Sequence, residues 1–246
     1  MGKIADILAL DFIPVAIYRT DRIPEDASVP TDHCSIPPLL VNCARSGKKW
    51  SADKEHVYCH GAISGFGFGG MGSRQRSAWK ISCIPPEHQH EMSHGGKGEF
   101  KNPEIAMIHL DAIKDYGDGK DAIVFQALDE AIAENRPIEV VVFLADPTRI
   151  SALSLLAGYS KSTPGPSTVM PYGHACQQVY ALPRAEGETD DPHAVLGMTD
   201  LYARRFVPPE IMSFSVPYKL YQRMDSDVEE SFLGREKWAE TLKKCI

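Results

Sequence analysis

Six consecutive apolar residues, Val140-Val141-Val142-Phe143-Leu144-Ala145, run directly into Asp146-Pro147-Thr148. The run is strand-sized and far short of the roughly 20 apolar residues that a membrane-spanning helix requires. Asp146 is a ready N-cap, and Pro147 suits a first helical position, where a missing N–H would have no intrahelical partner anyway. The spacing therefore predicts a strand over 139–144 followed at once by a helix through Tyr159. Residues 122–126 and 212–216 read as further strands, and 177–182 is another strand candidate. The stretch 127–135 is extended chain or a short helix. Pro217 opens a helix over Tyr218, Leu220, Tyr221 and Met224, and 229–244 reads as an amphipathic helix.

The first half is less regular. Apolar Ile4, Ile7 and Leu8 stand at helical spacing within 2–10, and 13–18 reads as a strand. Residues 22–30 are proline-punctuated loop. Pro37 sits near the start of a helix over 39–45, and Gly47 is a plausible stop. The glycine-rich stretch 63–72 reads as a loop or a tight helix-entry turn. Residues 84–103 read as a long irregular loop, a kind that is often functional in compact domains. No linker or internal repeat divides the 246 residues. The expected architecture is one mixed α/β domain over 1–246: a mixed sheet flanked by helices, with a cysteine- and glycine-rich loop region.

Charge narrows the function. A net charge of −7 argues against a nucleic-acid partner, which calls for a basic face, and against binding to anionic membrane surfaces. The N-terminus, Met1-Gly2-Lys3-Ile4-Ala5-Asp6, lacks the basic and apolar regions of a signal peptide, so a cytoplasmic location is expected. There, cysteines are ligands, catalysts or core residues rather than disulfides.

The six cysteines are Cys34, Cys43, Cys59, Cys83, Cys176 and Cys245, and no two form a Cys-x-x-Cys pair. A zinc ribbon and a ferredoxin run are therefore unsupported, and free cysteines also serve as small core hydrophobes. The surroundings favour a site. Cys34 follows Asp32-His33, Cys59 precedes His60-Gly61, and Cys176 closes Gly173-His174-Ala175. These are settings at element ends, where sites are commonly built. Thiolates suit iron–sulfur clusters or zinc, and four are the usual requirement for a cluster. The expected ligands are Cys34, Cys43, Cys59 and Cys176 of a [4Fe-4S] cluster. Cys83, His60 and His174 are alternative ligands or neighbours of it. Gly61, Gly65 and Gly67 would let backbone N–H groups approach the sulfurs. His88, His90 and His94 read as a solvated histidine-rich loop. Gly65-Phe66-Gly67-Phe68-Gly69-Gly70 contains a weak Gly-x-Gly-x-x-Gly match that lacks a preceding strand. Arg204-Arg205 near Asp200 is either an anion site or a surface ion pair.

Several blocks, in order, resemble a known family: Pro14-Val15-Ala16-Ile17; Ala44-Arg45-Ser46-Gly47; Cys59-His60-Gly61-Ala62 with Gly65-Phe66-Gly67; Ala122-Ile123-Val124-Phe125; Val140 to Pro147; Cys176; and Ser215-Val216-Pro217. Together they resemble domain-of-unknown-function family 169, also called ArCR. The resemblance carries no settled activity. It implies that Cys59 and Cys176 match recurring family cysteines and that the setting is anaerobic, compatible with an oxygen-sensitive cofactor. A further family cysteine falls where Pro38 stands here, between Cys34 and Cys43. The leading expectation is an iron–sulfur protein with a redox or electron-transfer role, its partner a redox protein or small molecule, with a homodimer as the default assembly. The alternatives are a zinc or small-ligand binding protein, or a thiol enzyme using Cys59 or Cys176 with His60 or His174 as base.

Overall fold

The computed structural model describes residues 2–31, 36–57, 59–68, 71–91, 96–114, 116 and 122–245. Within them the strands are β1 (Val15–Thr20), β2 (Trp50–Asp53), β3 (Ala122–Ala127), β4 (Val140–Ala145), β5 (Thr168–Val169), β6 (Ala194–Gly197) and β7 (Met212–Pro217). The helices are α1 (Lys3–Ile7), α2 (Ile36–Ser46), α3 (His60–Gly65), α4 (Met71–Ile81), α5 (Pro103–Asp111), α6 (Leu128–Ala133), α7 (Pro147–Gly158), α8 (Leu182–Glu186), α9 (Leu201–Arg204), α10 (Tyr218–Asp227) and α11 (Glu236–Cys245). One mixed sheet in the order β2-β3-β1-β4-β7-β6-β5 organises this α/β fold. Every neighbouring pair is antiparallel except β5 and β6.

Both faces of the sheet are covered, which is why Val140–Ala145 shows no polar alternation. On one face Ala16, Tyr18, Val124, Val141, Phe143 and Phe214 pack against residues of α1, α6, α7 and α10. On the other, Val15, Ile17, Ile123, Phe125, Val140 and Val142 pack against residues of α2 and α3 and the segment 175–180. Each fully buried Val, Ile or Phe side chain among these stabilises the fold by about 1.5–3 kcal/mol. A smaller third cluster joins α4 to α5 through Ala78, Ile81, Ala106 and Leu110.

Local signals explain the element ends. The Asp146 side chain accepts a hydrogen bond from the Arg149 N–H at 3.0 Å, with Pro147 opening α7. Asn102 and Pro103 repeat the device at α5, where Asn102 accepts from the Ile105 N–H at 2.9 Å. Gly47, at φ +72°, ends α2, and its N–H donates to the Cys43 carbonyl. Residues 128–133 form a short helix.

Three stretches differ from expectation, one of them 229–244, where the helix begins only at Glu236 after a 3₁₀ turn over Phe232–Gly234. Residues 177–182, expected as a strand, are helical: a π-turn over Gln177–Ala181 leads into α8. All five residues of that turn are buried, so they show no periodicity by which strand and helix could be told apart. The glycine-rich stretch 63–72, expected as a loop or a tight helix-entry turn, carries the end of α3 and the start of α4, with non-helical chain over 66–68 between them. Residues 84–103 contain a 3₁₀ turn over Pro86–Glu91 and a clasp in which the Cys83 N–H donates to the Phe100 carbonyl at 2.8 Å. No helix among the described residues is long and apolar enough to cross a membrane.

Candidate functional site

Cys59 stands immediately before α3, and its Sγ accepts the Ala62 N–H at 3.4 Å, so the sulfur caps the helix start. Gly61 and Gly65 lie four residues apart on α3 and share one face. A Cβ on Gly61 would stand 3.1 Å from Cγ of His174, and one on Gly65 would stand 3.0 Å from Cβ of Cys176. This bare face lets the segment Gly173-His174-Ala175-Cys176 settle directly on α3, bringing together parts of the chain more than a hundred residues apart.

The π-turn fixes that segment. Gln177 accepts the His174 N–H on its side-chain oxygen at 2.9 Å. Gln178 donates to the Pro171 carbonyl and to Thr199 Oγ1, and accepts the Thr199 N–H at 3.1 Å. The next residue, Asp200, caps α9 by accepting the Tyr202 N–H at 2.9 Å, and its other oxygen accepts the Ala175 N–H at 3.4 Å. π-turns recur at functional sites because the extra residue redirects side chains. Here the turn begins directly after Cys176.

These elements enclose a cavity of about 140 Å³, lined in part by Cys59, Gly61, Ser77, Lys80, Lys97, His174, Cys176, Asp200 and Tyr202. A second hollow, about 250 Å³, adjoins it and shares Asp200; Glu99, Tyr172, Thr199 and Leu201 line it. His174 is 8% exposed, and its Nδ1 has no hydrogen-bond partner among the described residues. Burial pushes the His174 pKa below its ordinary value; Lys97 adds to the effect, while Asp200, Glu99 and Cys59 oppose it. Burial thus favours the neutral imidazole. Ser77 is fully buried, and its Oγ also has no hydrogen-bond partner among the described residues. Lys97 pairs with Glu99 at 3.5 Å and stands 4.7 Å above the Tyr202 ring. Glu99 in turn accepts the Tyr172 hydroxyl at 2.6 Å.

Of the residues singled out from sequence, Cys59, Gly61, His174 and Cys176 line this cavity. Gly65 packs behind Cys176, and Gly67, at φ +72°, turns the chain out of α3. Cys43 is buried in the core beneath α2, where loss of water pushes its thiol up to about 12. Cys83 is exposed beside the Phe100 clasp and does not line the cavity. Cys34 and His94 lie outside the described residues, as do the side chains of His60, His90 and Cys245. His88 meets Trp79 edge-on at 5.4 Å. Arg204 donates to the carbonyls of Pro208, Pro209 and Ile211, and Arg205 stacks over Tyr202 at 4.1 Å. Among the described residues, no three of His, Cys, Asp and Glu stand together in a metal-binding group.

Sequence reasoning missed Ser77, Lys80, Lys97 and Tyr202. The first two lie on α4, whose polar sequence gives a weak helical pattern, and the others arrive only through tertiary folding. Asp200 was open to recognition as a helix cap.

No curated protein and no solved structure matches the chain. Residues 3–226 match the family described as uncharacterised ArCR, DUF169, and the chain belongs to that family.

Proposed function

We propose that the chain is an iron–sulfur protein of redox function, with a [4Fe-4S]-type cluster held at the cavity and Cys59 and Cys176 among its thiolate ligands. The observation that carries this reading is the convergence of these two cysteines on one cavity wall. The donor set fits in part. Two thiols that can supply soft thiolate ligands line the cavity, Lys97 offsets the negative charge of a thiolate-bound cluster, and Gly61 and Gly65 let the Cys176 segment settle close to α3. The remaining ligands are not among the described residues on that wall. Pro37, which lines the cavity, is three residues along the chain from Cys34, the expected further ligand. A bound cluster would supply one-electron exchange. The chain's own residues would exclude water, hold the ligand sulfurs and set the local charge. Zinc at the same thiols is the alternative metal. The test is the visible spectrum of protein purified without oxygen. A broad absorption shoulder bleached by dithionite supports the reading, and a colourless protein, even after attempted reconstitution, contradicts it.

His174, near Cys59, favours a second reading, a thiol enzyme in which it takes the Cys59 proton: its Nδ1 has no partner among the described residues, and burial lowers its pKa. Selective, stoichiometric alkylation of Cys59 in metal-free protein would favour it over the cluster.

A further inference from the structure

The cavity has a wall that the thiols do not use. Ser77 Oγ and His174 Nδ1 are both buried without a hydrogen-bond partner among the described residues, and both residues line the same cavity. Buried hydroxyls and ring nitrogens are nearly always partnered in folded proteins. Two such atoms at one cavity mark a place where a ligand completes the bonding. Lys80 lies three residues beyond Ser77 on α4, on the same helical face, and also lines the cavity. It has no ion pair among the described residues. Lys97 adds a second positive charge, shared with Glu99. The acidic group on this cavity, Asp200, has both oxygens taken by backbone N–H groups. The rest of the wall is apolar, formed by Pro37, Ile81 and Ala203 with the Tyr202 ring.

We propose that this cavity binds a small organic carboxylate, its charged head against Lys80 and the two unpartnered atoms, Ser77 Oγ and His174 Nδ1, and its apolar body against Ile81 and Ala203. An amine would face two lysines. An inorganic anion would leave the apolar half of the cavity unmatched. The proposal rests on the cavity being the functional site, and it holds whether or not Cys59 and Cys176 carry a cluster.

The test is titration calorimetry of the full chain, purified without oxygen, with acetate, glycolate and malonate, and with inorganic phosphate for comparison. At least one carboxylate binds with one site per chain, and phosphate binds at least about tenfold more weakly. Lys80→Ala and Ser77→Ala each weaken binding about tenfold, as expected for loss of a charge-assisted hydrogen bond. Lys48→Ala, at an exposed residue beside Trp50, leaves it unchanged. Circular dichroism confirms that each variant is folded. Absence of carboxylate binding, phosphate binding equal or tighter, or unchanged affinity in both cavity variants overturns the proposal. Iron and sulfide assayed on the same samples separate the two readings. Iron-free protein that binds carboxylate sinks only the cluster, and cluster-bearing protein that binds none sinks only the carboxylate.

Discussion

Gly65 and Cys176 are packed so closely that a Cβ on the glycine would stand 3.0 Å from Cβ of the cysteine and 3.1 Å from both its carbonyl carbon and the Gln177 nitrogen. Two of those three neighbours are backbone atoms at the entrance to the π-turn, so they cannot swing aside. The position of one thiol on the cavity thus depends on the absence of a side chain on α3.

Gly65→Ala tests this dependence directly. Overpacking a closed contact typically costs about 1–3 kcal/mol, and that loss is expected here in chemical denaturation. The variant should also lose ligand or metal binding at the cavity, because Cys176 must move. A denaturation midpoint equal to that of the parent would show that the contact is looser than described.

The buried thiol of Cys43 gives a pH prediction. Burial raises it from an ordinary value of 9.0 to about 12. Above pH 9 the unfolded chain releases this proton while the folded chain keeps it, so rising pH favours unfolding. The stabilising contribution is complete below pH 9 and is lost progressively towards pH 12. Tyr18 and Tyr116, each raised by burial from 10.0 to about 12, add to the decline above pH 10. Cys43→Ala should remove the part of the slope that begins at pH 9. In the folded protein at pH 8, iodoacetamide should label exposed Cys83 well before Cys43. Labelling at equal rates would contradict the burial.

Asp146 couples a helix cap to a buried cation. It accepts the Arg149 N–H and pairs with the Arg149 guanidinium, which also donates to the carbonyls of Leu8 and Ala9. Burial alone would raise its pKa, but the hydrogen bonds and charge of Arg149 outweigh burial and hold it below 3.8. Its stabilisation is therefore present above that value and is lost as pH falls through the depressed folded pKa. Asp146→Ala should cost about 2–3 kcal/mol, combining the lost cap with a cation left without its counter-charge. Asp146→Asn keeps the cap and should cost less. Equal losses in thermal unfolding would show that the cap contributes nothing.

What was legible from sequence follows from how local the physics is. The start of α7 is written in two adjacent residues, Asp146 and Pro147, and β4 in an uninterrupted apolar run. Helix α4 was not legible, because its buried stripe is narrow, with Ala78 and Ile81 packing on α5 rather than on the sheet. Ser77 and Lys80 were lost with it. The Gln177–Ala181 turn misled because complete burial erases periodicity. Cys59, His174 and Cys176 stood out by residue type beside glycines. The reason for those glycines, contact between α3 and the His174 segment, is a tertiary fact. Lys97 and Tyr202 meet through a cation–π contact that no local pattern announces.

The proposed cluster depends on Cys59 and Cys176 as ligands. Its most direct test is the iron and acid-labile sulfide content per chain of protein purified without oxygen, measured for the parent, Cys59→Ala and Cys176→Ala. About four of each are expected in the parent and a marked loss in both variants, with the fold retained. A parent without iron, or variants that keep the full complement, would contradict it.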